Sequence, residues 1–291
     1  MPRPSQVLLS AEEFAELAAR LADVDPGLTD PPAGIAAVRA GRVVSLGDPP
    51  AHPALAADVQ AAPHAPSPYR LHQWADHGPG WVATNDRLDL DIHGAPSMTH
   101  LDSTSHFEWP ESPVPAGSRG GSLASLASSG VVGRGVLIDV PGVLGPLAPG
   151  DVVTHADLIA TLDRTGTDVR PGDALYLRFG REGIARSDVP LGSSPTSGLS
   201  IDCAEWLAGA RPSLVATDEG LDSAPSEVAG QPTPWHLLLL TVLGVPLVDR
   251  ARLGELSDEC AAAGRWEFLS VIAPLPIPDA SGSPVNPLAI L

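Results

Sequence analysis

Residues 133–140 read Gly-Arg-Gly-Val-Leu-Ile-Asp-Val, and this stretch decides the fold class. A short apolar run that follows glycines predicts a strand buried in a sheet. A helix is predicted next, capped by Thr154 and extending to about Thr165, with Asp157 at its third position. Residues 173–179 predict another strand. Strands and helices therefore alternate, which predicts an α/β fold with a mixed β-sheet.

The alternation continues on both sides of this stretch. Ser10 and Glu13 form the pattern of a capping box, and the helix that they begin ends at Pro26. Residues 45–80 are rich in Pro, Ala, His and Asp and predict an irregular, solvent-facing segment. The further predictions are strands at 87–93, 213–217, 245–248 and 267–273, and helices at 200–207, from Thr233-Pro234 to Gly244, and at 256–263. We expect one domain over residues 1–291, with an N-terminal helical and irregular arm over about residues 1–80.

Composition narrows the range of possible functions. The formal net charge is -18 and the chain contains no lysine, which argues against nucleic acid or anionic membranes as partners and excludes a Schiff-base or P-loop lysine. The longest apolar stretch, Trp235 to Val248, is too short to span a bilayer. No signal-peptide pattern is found at the N-terminus, and the two cysteines, Cys203 and Cys260, fit a reducing compartment. We therefore expect a cytoplasmic protein that acts on a small molecule.

The stretch that carries chemistry reads Thr99-His-Leu-Asp-Ser-Thr-Ser-His106. If it is extended, His100 and Asp102 project from the same face, and His106 keeps the same parity. Imidazole and carboxylate side chains in this arrangement suit Zn²⁺, Mn²⁺ or Fe²⁺. The alternative is a polar surface run in a loop rich in Ser and Thr. The spacing favours a divalent-metal site.

Two more histidines are candidates for the same site. His93 ends the predicted strand at 87–93 and is either a further ligand or a hydrogen-bonded structural histidine. His236 begins a very apolar helix, where the positive helix end favours the neutral imidazole that a metal requires. It could equally cap the helix and bind nothing.

Residues 98–107, Met-Thr-His-Leu-Asp-Ser-Thr-Ser-His-Phe, resemble the signature of the metal-dependent cyclase family, which includes kynurenine formamidase and isatin hydrolase. Further segments that resemble this family are 133–139, 171–178, 198–206, 216–218, 235–236 and 244–247, and the C-terminal residues from Arg265 resemble its longer branch of roughly 300 residues. The resemblance covers the chain from about residue 70 to the C-terminus.

This resemblance implies a swivelling β/β/α architecture and a homodimer or homotetramer. It also implies a site with one or two metal ions, Zn or Mn, that hydrolyses an amide or lactam. His100 and Asp102 match metal ligands of the family. His106 matches a histidine that ligates a second metal or acts as base, and His236 matches the later histidine of that second site.

The chain departs from the family pattern at two positions. Pro96 stands where the first metal ligand is expected, four residues before His100, and His93 is the candidate to replace it. The family's late glutamate would fall at Val248; Asp249 follows it but has a shorter side chain, and Asp218 or Glu219 could take the role instead. We therefore expect an incomplete or rearranged metal shell.

The leading functional hypothesis is metal-dependent hydrolysis of an amide, lactam or lactone bond in a small cyclic or aryl substrate, with His106 and His236 as catalytic residues. A second is a lyase, dehydratase or cyclase in a tailoring pathway. A third is a non-catalytic family member that only binds a ligand. Arg178, at the end of a predicted strand, either holds a substrate carboxylate or forms a structural ion pair.

Overall fold

A computed structural model describes residues 2–48, 69–93, 98–180 and 195–291. The strands in these residues are β1 Arg3–Pro4, β2 Val43–Ser45, β3 Tyr69–Gly78, β4 Trp81–Leu90, β5 His100–Asp102, β6 Val131–Asp139, β7 Asp151–Val153, β8 Ala174–Arg178, β9 Gly198–Leu199, β10 Leu214–Thr217, β11 Leu247–Asp249, β12 Glu267–Ile272, β13 Gly282–Pro284 and β14 Leu288–Ile290. The α-helices are α1 Ala11–Leu21, α2 Pro31–Ala37, α3 Leu123–Ser129, α4 Val140–Leu144, α5 His155–Thr165, α6 Ala204–Ala210, α7 Pro234–His236 and α8 Gly254–Ala263. A 3₁₀ turn, Ile201–Cys203, precedes α6, and a π-helical segment, Leu237–Leu243, continues α7.

Nine strands form one curved sheet in the order β13-β5-β11-β10-β8-β6-β12-β14-β2. Its centre is parallel, because β6, β8, β10 and β11 pair in the same direction. Antiparallel strands extend both sides, β5 and β13 on one and β12, β14 and β2 on the other. The prediction of an α/β fold with a mixed sheet is confirmed.

Both faces of the central sheet are covered. Along β6, Val136 and Ile138 pack into one hydrophobic cluster with α1, α5 and the π-helical segment, whereas Leu137 packs into a second cluster with α8. The same alternation holds on β11, where Leu247 belongs to the first cluster and Val248 to the second. Strands buried on both faces read as nearly continuous apolar runs, which is why residues 133–140 identify the fold class.

The capping patterns give the helix starts correctly. Ser10 and Glu13 form the capping box of α1, and Thr154 and Asp157 form that of α5. Pro234 occupies the first turn of α7, and Gly244 ends the π-helical segment with a left-handed backbone (φ +69°). Local hydrogen bonds and glycine conformation determine these ends, so a single sequence suffices to locate them.

The segment predicted as irregular contains a long strand, which corrects that prediction. Tyr69–Gly78 pairs antiparallel with Trp81–Leu90, and the predicted strand at 87–93 is the second half of β4 and stops at Leu90. The polar composition of these residues favours an irregular segment. Pairing with β4 across the Pro79-Gly80 turn nevertheless stabilises a strand. Residues 49–68 of the same segment lie outside the described residues.

The N-terminal region belongs to the body of the fold in several places. Helix α1 contributes Phe14 and Leu17 to the first cluster, and β2 forms an edge of the large sheet. None of the described helices has the length and apolarity needed to cross a membrane.

Phe14 is expected to be a major source of stability. It is fully buried and its ring stacks on Trp109 with the centroids 5.4 Å apart. The substitution Phe14→Ala should lower the free energy of unfolding by about 3–5 kcal/mol, because it removes apolar contacts and leaves a cavity. Urea denaturation measures the loss. The control Leu28→Ala, at a side chain that is 86% exposed, should change stability by no more than about 0.5 kcal/mol. Equal losses in the two variants would contradict the packing role of α1.

Candidate metal centre

Strand β5 carries the centre of the site. It lies between β11 and β13, and His100 is in register with Asp249. Leu101 points into the second hydrophobic cluster. Because successive side chains of a strand alternate, His100 and Asp102 face the opposite side of the sheet, together with Asp249.

Asp102 lies in the middle of four histidines and is 1% exposed. Its carboxylate oxygens lie 2.9 Å from Nε2 of His93, 3.6 Å from Nε2 of His100, 3.9 Å from Nε2 of His106 and 3.7 Å from Nε2 of His236. Burial by itself would raise the pKa of Asp102, but the hydrogen bond from His93, followed by the electrostatic attraction of the surrounding imidazoles, outweighs it and holds the pKa below its usual value. Asp102 is therefore an anion at neutral pH.

Two trios of side chains have the spacing of metal ligands, and Asp102 belongs to both. The first consists of His93, His100 and Asp102, and the second of Asp102, His236 and Asp249. Within each trio one ligand atom from every residue lies within 4.8 Å of the others. Imidazole and carboxylate donors at this separation fit a divalent cation such as Zn²⁺ or Mn²⁺.

His93 enters the site from the end of the hairpin. It follows β4 by three residues, and its ring lies at an edge-on angle to that of His100, with the centroids 5.3 Å apart. Gly282 on β13 leaves room for it, because a Cβ atom there would lie 2.5 Å from Nε2 of His93. Pro96, the position where the sequence resemblance predicts a first ligand, is outside the described residues.

His236 is held by carboxylates on both of its nitrogens. Its Nδ1 is 2.5 Å from Oδ2 of Asp222, and its Nε2 is 3.6 Å from Oδ2 of Asp249. Burial would lower the pKa of His236, but the hydrogen bond with Asp222 and the nearby carboxylate of Asp249 outweigh this effect and raise the pKa well above 6.5. A metal ion can bind at Nε2 only when that nitrogen carries no proton, so cation binding there competes with protonation of the ring.

His106 has a different environment. It stacks on His93 with the ring centroids 3.8 Å apart, and it is part of neither trio. Burial lowers the pKa of His106 to about 4, although the charge of Asp102 opposes the shift. The ring is thus neutral near pH 7, and one of its nitrogens carries a lone pair.

The remaining sequence candidates lie in different surroundings. Asp218 accepts hydrogen bonds from the backbone N–H groups of Phe179 and Gly180, at 2.8 and 2.7 Å. Neither Asp218 nor Glu219 belongs to a group with metal-ligand spacing among the described residues. Arg178 pairs with Asp139 at 2.8 Å, which agrees with the structural ion pair considered for it.

The two cysteines do not resemble nucleophiles. Cys203 and Cys260 are fully buried, and burial raises the pKa of both thiols, that of Cys260 to about 12. A thiol in this state is not ionised at neutral pH and reacts slowly.

Sequence reasoning did not identify Asp222 as part of the site, and it left the assignment of Asp249 open. Asp222 has no motif around it, and only the fold brings it to His236, fourteen residues later in the chain. Asp249 was one of three candidates for the late carboxylate. The alternation along β11 would have distinguished it from Val248, because the strand turns Val248 toward the second hydrophobic cluster.

The comparisons agree with this architecture. A solved structure described as a novel cyclase is 27% identical, with a TM-score of 0.71, and the alignment covers 94% of this chain and 93% of that chain. Isatin hydrolase A from Ralstonia solanacearum is 20% identical (TM-score 0.63; 86% and 92% covered). A "predicted metal-dependent hydrolase from Bacillus stearothermophilus" is 20% identical (TM-score 0.51; 86% and 98% covered). No curated protein matches the chain.

The sequence model of the Cyclase family, described as "Putative cyclase", matches residues 48–221, which is more than half of the chain. This range includes His93, His100, Asp102 and His106 of the site. The chain therefore belongs to the Cyclase family.

Proposed function

We propose that the chain is a divalent-metal-dependent hydrolase that cleaves an amide, lactam or lactone bond in a small cyclic or aryl substrate. The observation that carries the proposal is the buried carboxylate of Asp102, shared by two trios of potential metal ligands. A cluster of this composition serves either to bind a cation or to stabilise a buried charge. Hydrogen bonding to the buried charge accounts for His93, whereas the Nε2 atoms of His100, His106 and His236 lie 3.6–3.9 Å from the same carboxylate, a separation that suits ligand atoms around a cation.

The names of similar proteins support the reaction class. The isatin hydrolases among them act on isatin, an aryl lactam, and another similar structure bears the name of a metal-dependent hydrolase. At 20% identity these structures support the fold alone, and the substrate class is part of the proposal.

The side chains of the site have two proposed roles, metal binding and proton transfer. His93, His100 and Asp102 would hold one divalent cation, and His236 and Asp249 would hold a second or complete the shell of the first. A bound cation would lower the pKa of water and polarise the substrate carbonyl. His106 would take a proton from the attacking water and return one to the leaving group, because its imidazole is neutral near pH 7 and lies outside both trios.

Cellular location and assembly are also part of the proposal. We propose a cytoplasmic enzyme that forms a homodimer or homotetramer. The two buried, unpaired cysteines are compatible with a reducing compartment.

Metal removal tests the central role of the cluster. Dialysis against a chelator should lower the hydrolysis of N-formyl aryl amines, lactams and lactones by at least about tenfold, and Zn²⁺ or Mn²⁺ should restore it, because the cation supplies most of the charge stabilisation. Elemental analysis of protein purified without added metal provides the control. Full activity in protein shown to contain no metal would overturn the metal role.

A cyclase or lyase is the second candidate function, and it is favoured by the 27% identical structure described as a cyclase. Solvent labelling distinguishes the two. Hydrolysis in H₂¹⁸O should place one labelled oxygen in the product, because water is the nucleophile, and mass spectrometry detects it. Turnover without label would exclude hydrolysis and favour ring closure or elimination.

His106 is expected to act in catalysis and not in metal retention. The substitution His106→Gln should lower kcat by about 10²–10⁴, the range of general acid–base catalysis, and leave the metal content unchanged. The matched control is Asp102→Asn, which should lose metal because it removes the carboxylate shared by both trios. Loss of metal from His106→Gln would instead identify His106 as a ligand.

A further inference from the structure

We infer that Asp222 is a positioning residue for the metal centre, which fixes His236 with its Nε2 toward Asp102 and Asp249. The inference rests on the proposed metal role of this cluster. It concerns a residue that no sequence motif marks and that lies outside both trios.

The carboxylate of Asp222 is itself firmly oriented. Its Oδ1 accepts the backbone N–H of Trp235 at 2.7 Å, and its Oδ2 is 2.5 Å from Nδ1 of His236. The N–H of Trp235 belongs to the first turn of α7, where backbone donors have no partner within the helix. Both oxygens are therefore used, and the side chain is only 9% exposed.

This contact determines which nitrogen of His236 is available. A carboxylate beside Nδ1 keeps the proton on that nitrogen, so the lone pair of the neutral ring is on Nε2. Nε2 lies 3.7 Å from Oδ2 of Asp102 and 3.6 Å from Oδ2 of Asp249. The ring thus presents its ligating atom to the two carboxylates of the second trio.

The two trios differ in this respect. In the first trio, Nδ1 of His100 is 2.8 Å from the backbone carbonyl oxygen of Met98, a neutral acceptor that no substitution removes. In the second trio the equivalent acceptor is an anionic side chain. Cation affinity of the second trio should therefore depend on Asp222, and that of the first should not.

The substitution Asp222→Asn tests the inference in the full-length chain. The amide oxygen can still accept the N–H of Trp235, but the amide group replaces the anion beside Nδ1. Competition with a chromophoric chelator for Zn²⁺ should show a ten- to hundredfold weaker affinity at one class of site, the range found when such outer partners are removed. The matched control is Asp139→Asn, another buried carboxylate, which contacts the N–H of Gly142 and Arg178. It should bind Zn²⁺ as the wild type does.

A spectroscopic measurement on the wild type keeps the test independent of variant folding. In ¹⁵N-labelled protein loaded with ¹¹³Cd²⁺, scalar coupling should join the cadmium to Nε2 of His236 and not to Nδ1. Coupling to Nδ1, or none to this ring, would overturn the inference, as would wild-type Zn²⁺ affinity in Asp222→Asn. Those results leave the hydrolase proposal standing. Full activity of metal-free wild type would overturn the metal role in that proposal, whatever the affinities.

Discussion

An anionic carboxylate taken out of water must be compensated, and this constraint governs the arrangement around Asp102. Burial of an uncompensated charge costs several kcal/mol, so a side chain that is 1% exposed requires donors or cations around it. Three parts of the chain supply them: β5 itself provides His100, the end of the β3–β4 hairpin provides His93, and the last residue of α7 is His236. The fold therefore places imidazoles from separate parts of the chain around one carboxylate.

Much of this arrangement could be predicted from the sequence because it depends on interactions between residues that are close together in the chain. The alternating side chains of an extended segment place His100 and Asp102 on one face, and capping boxes locate α1 and α5. Apolar runs identify the buried strands of the parallel centre. In each case the information lies within a few residues, so no tertiary contact is needed to interpret it.

The rest depends on contacts that no short stretch encodes. The carboxylate of Asp222 reaches His236 only because the chain turns back after β10, and β3 exists because β4 pairs with it. The position of the late carboxylate also could not be read from spacing, which points to Val248. Only the orientation of β11 shows that Asp249, the next residue, faces the site. The π-helical form of residues 237–243 is likewise not recognisable from a leucine-rich run.

The position of β5 also has a consequence for the order of folding. The pairing of His100 with Asp249 closes a loop of about 150 residues, and the pairing of Leu101 with Ser283 closes a longer one. The entropy lost in closing such loops must be overcome before the contacts stabilise the chain, which makes non-local pairings late events. The parallel strands β6, β8 and β10 are separated by far shorter connections and can associate first. A nascent chain would thus complete its central sheet before the donors around Asp102 meet, and a cation would bind a largely folded protein instead of guiding its early collapse.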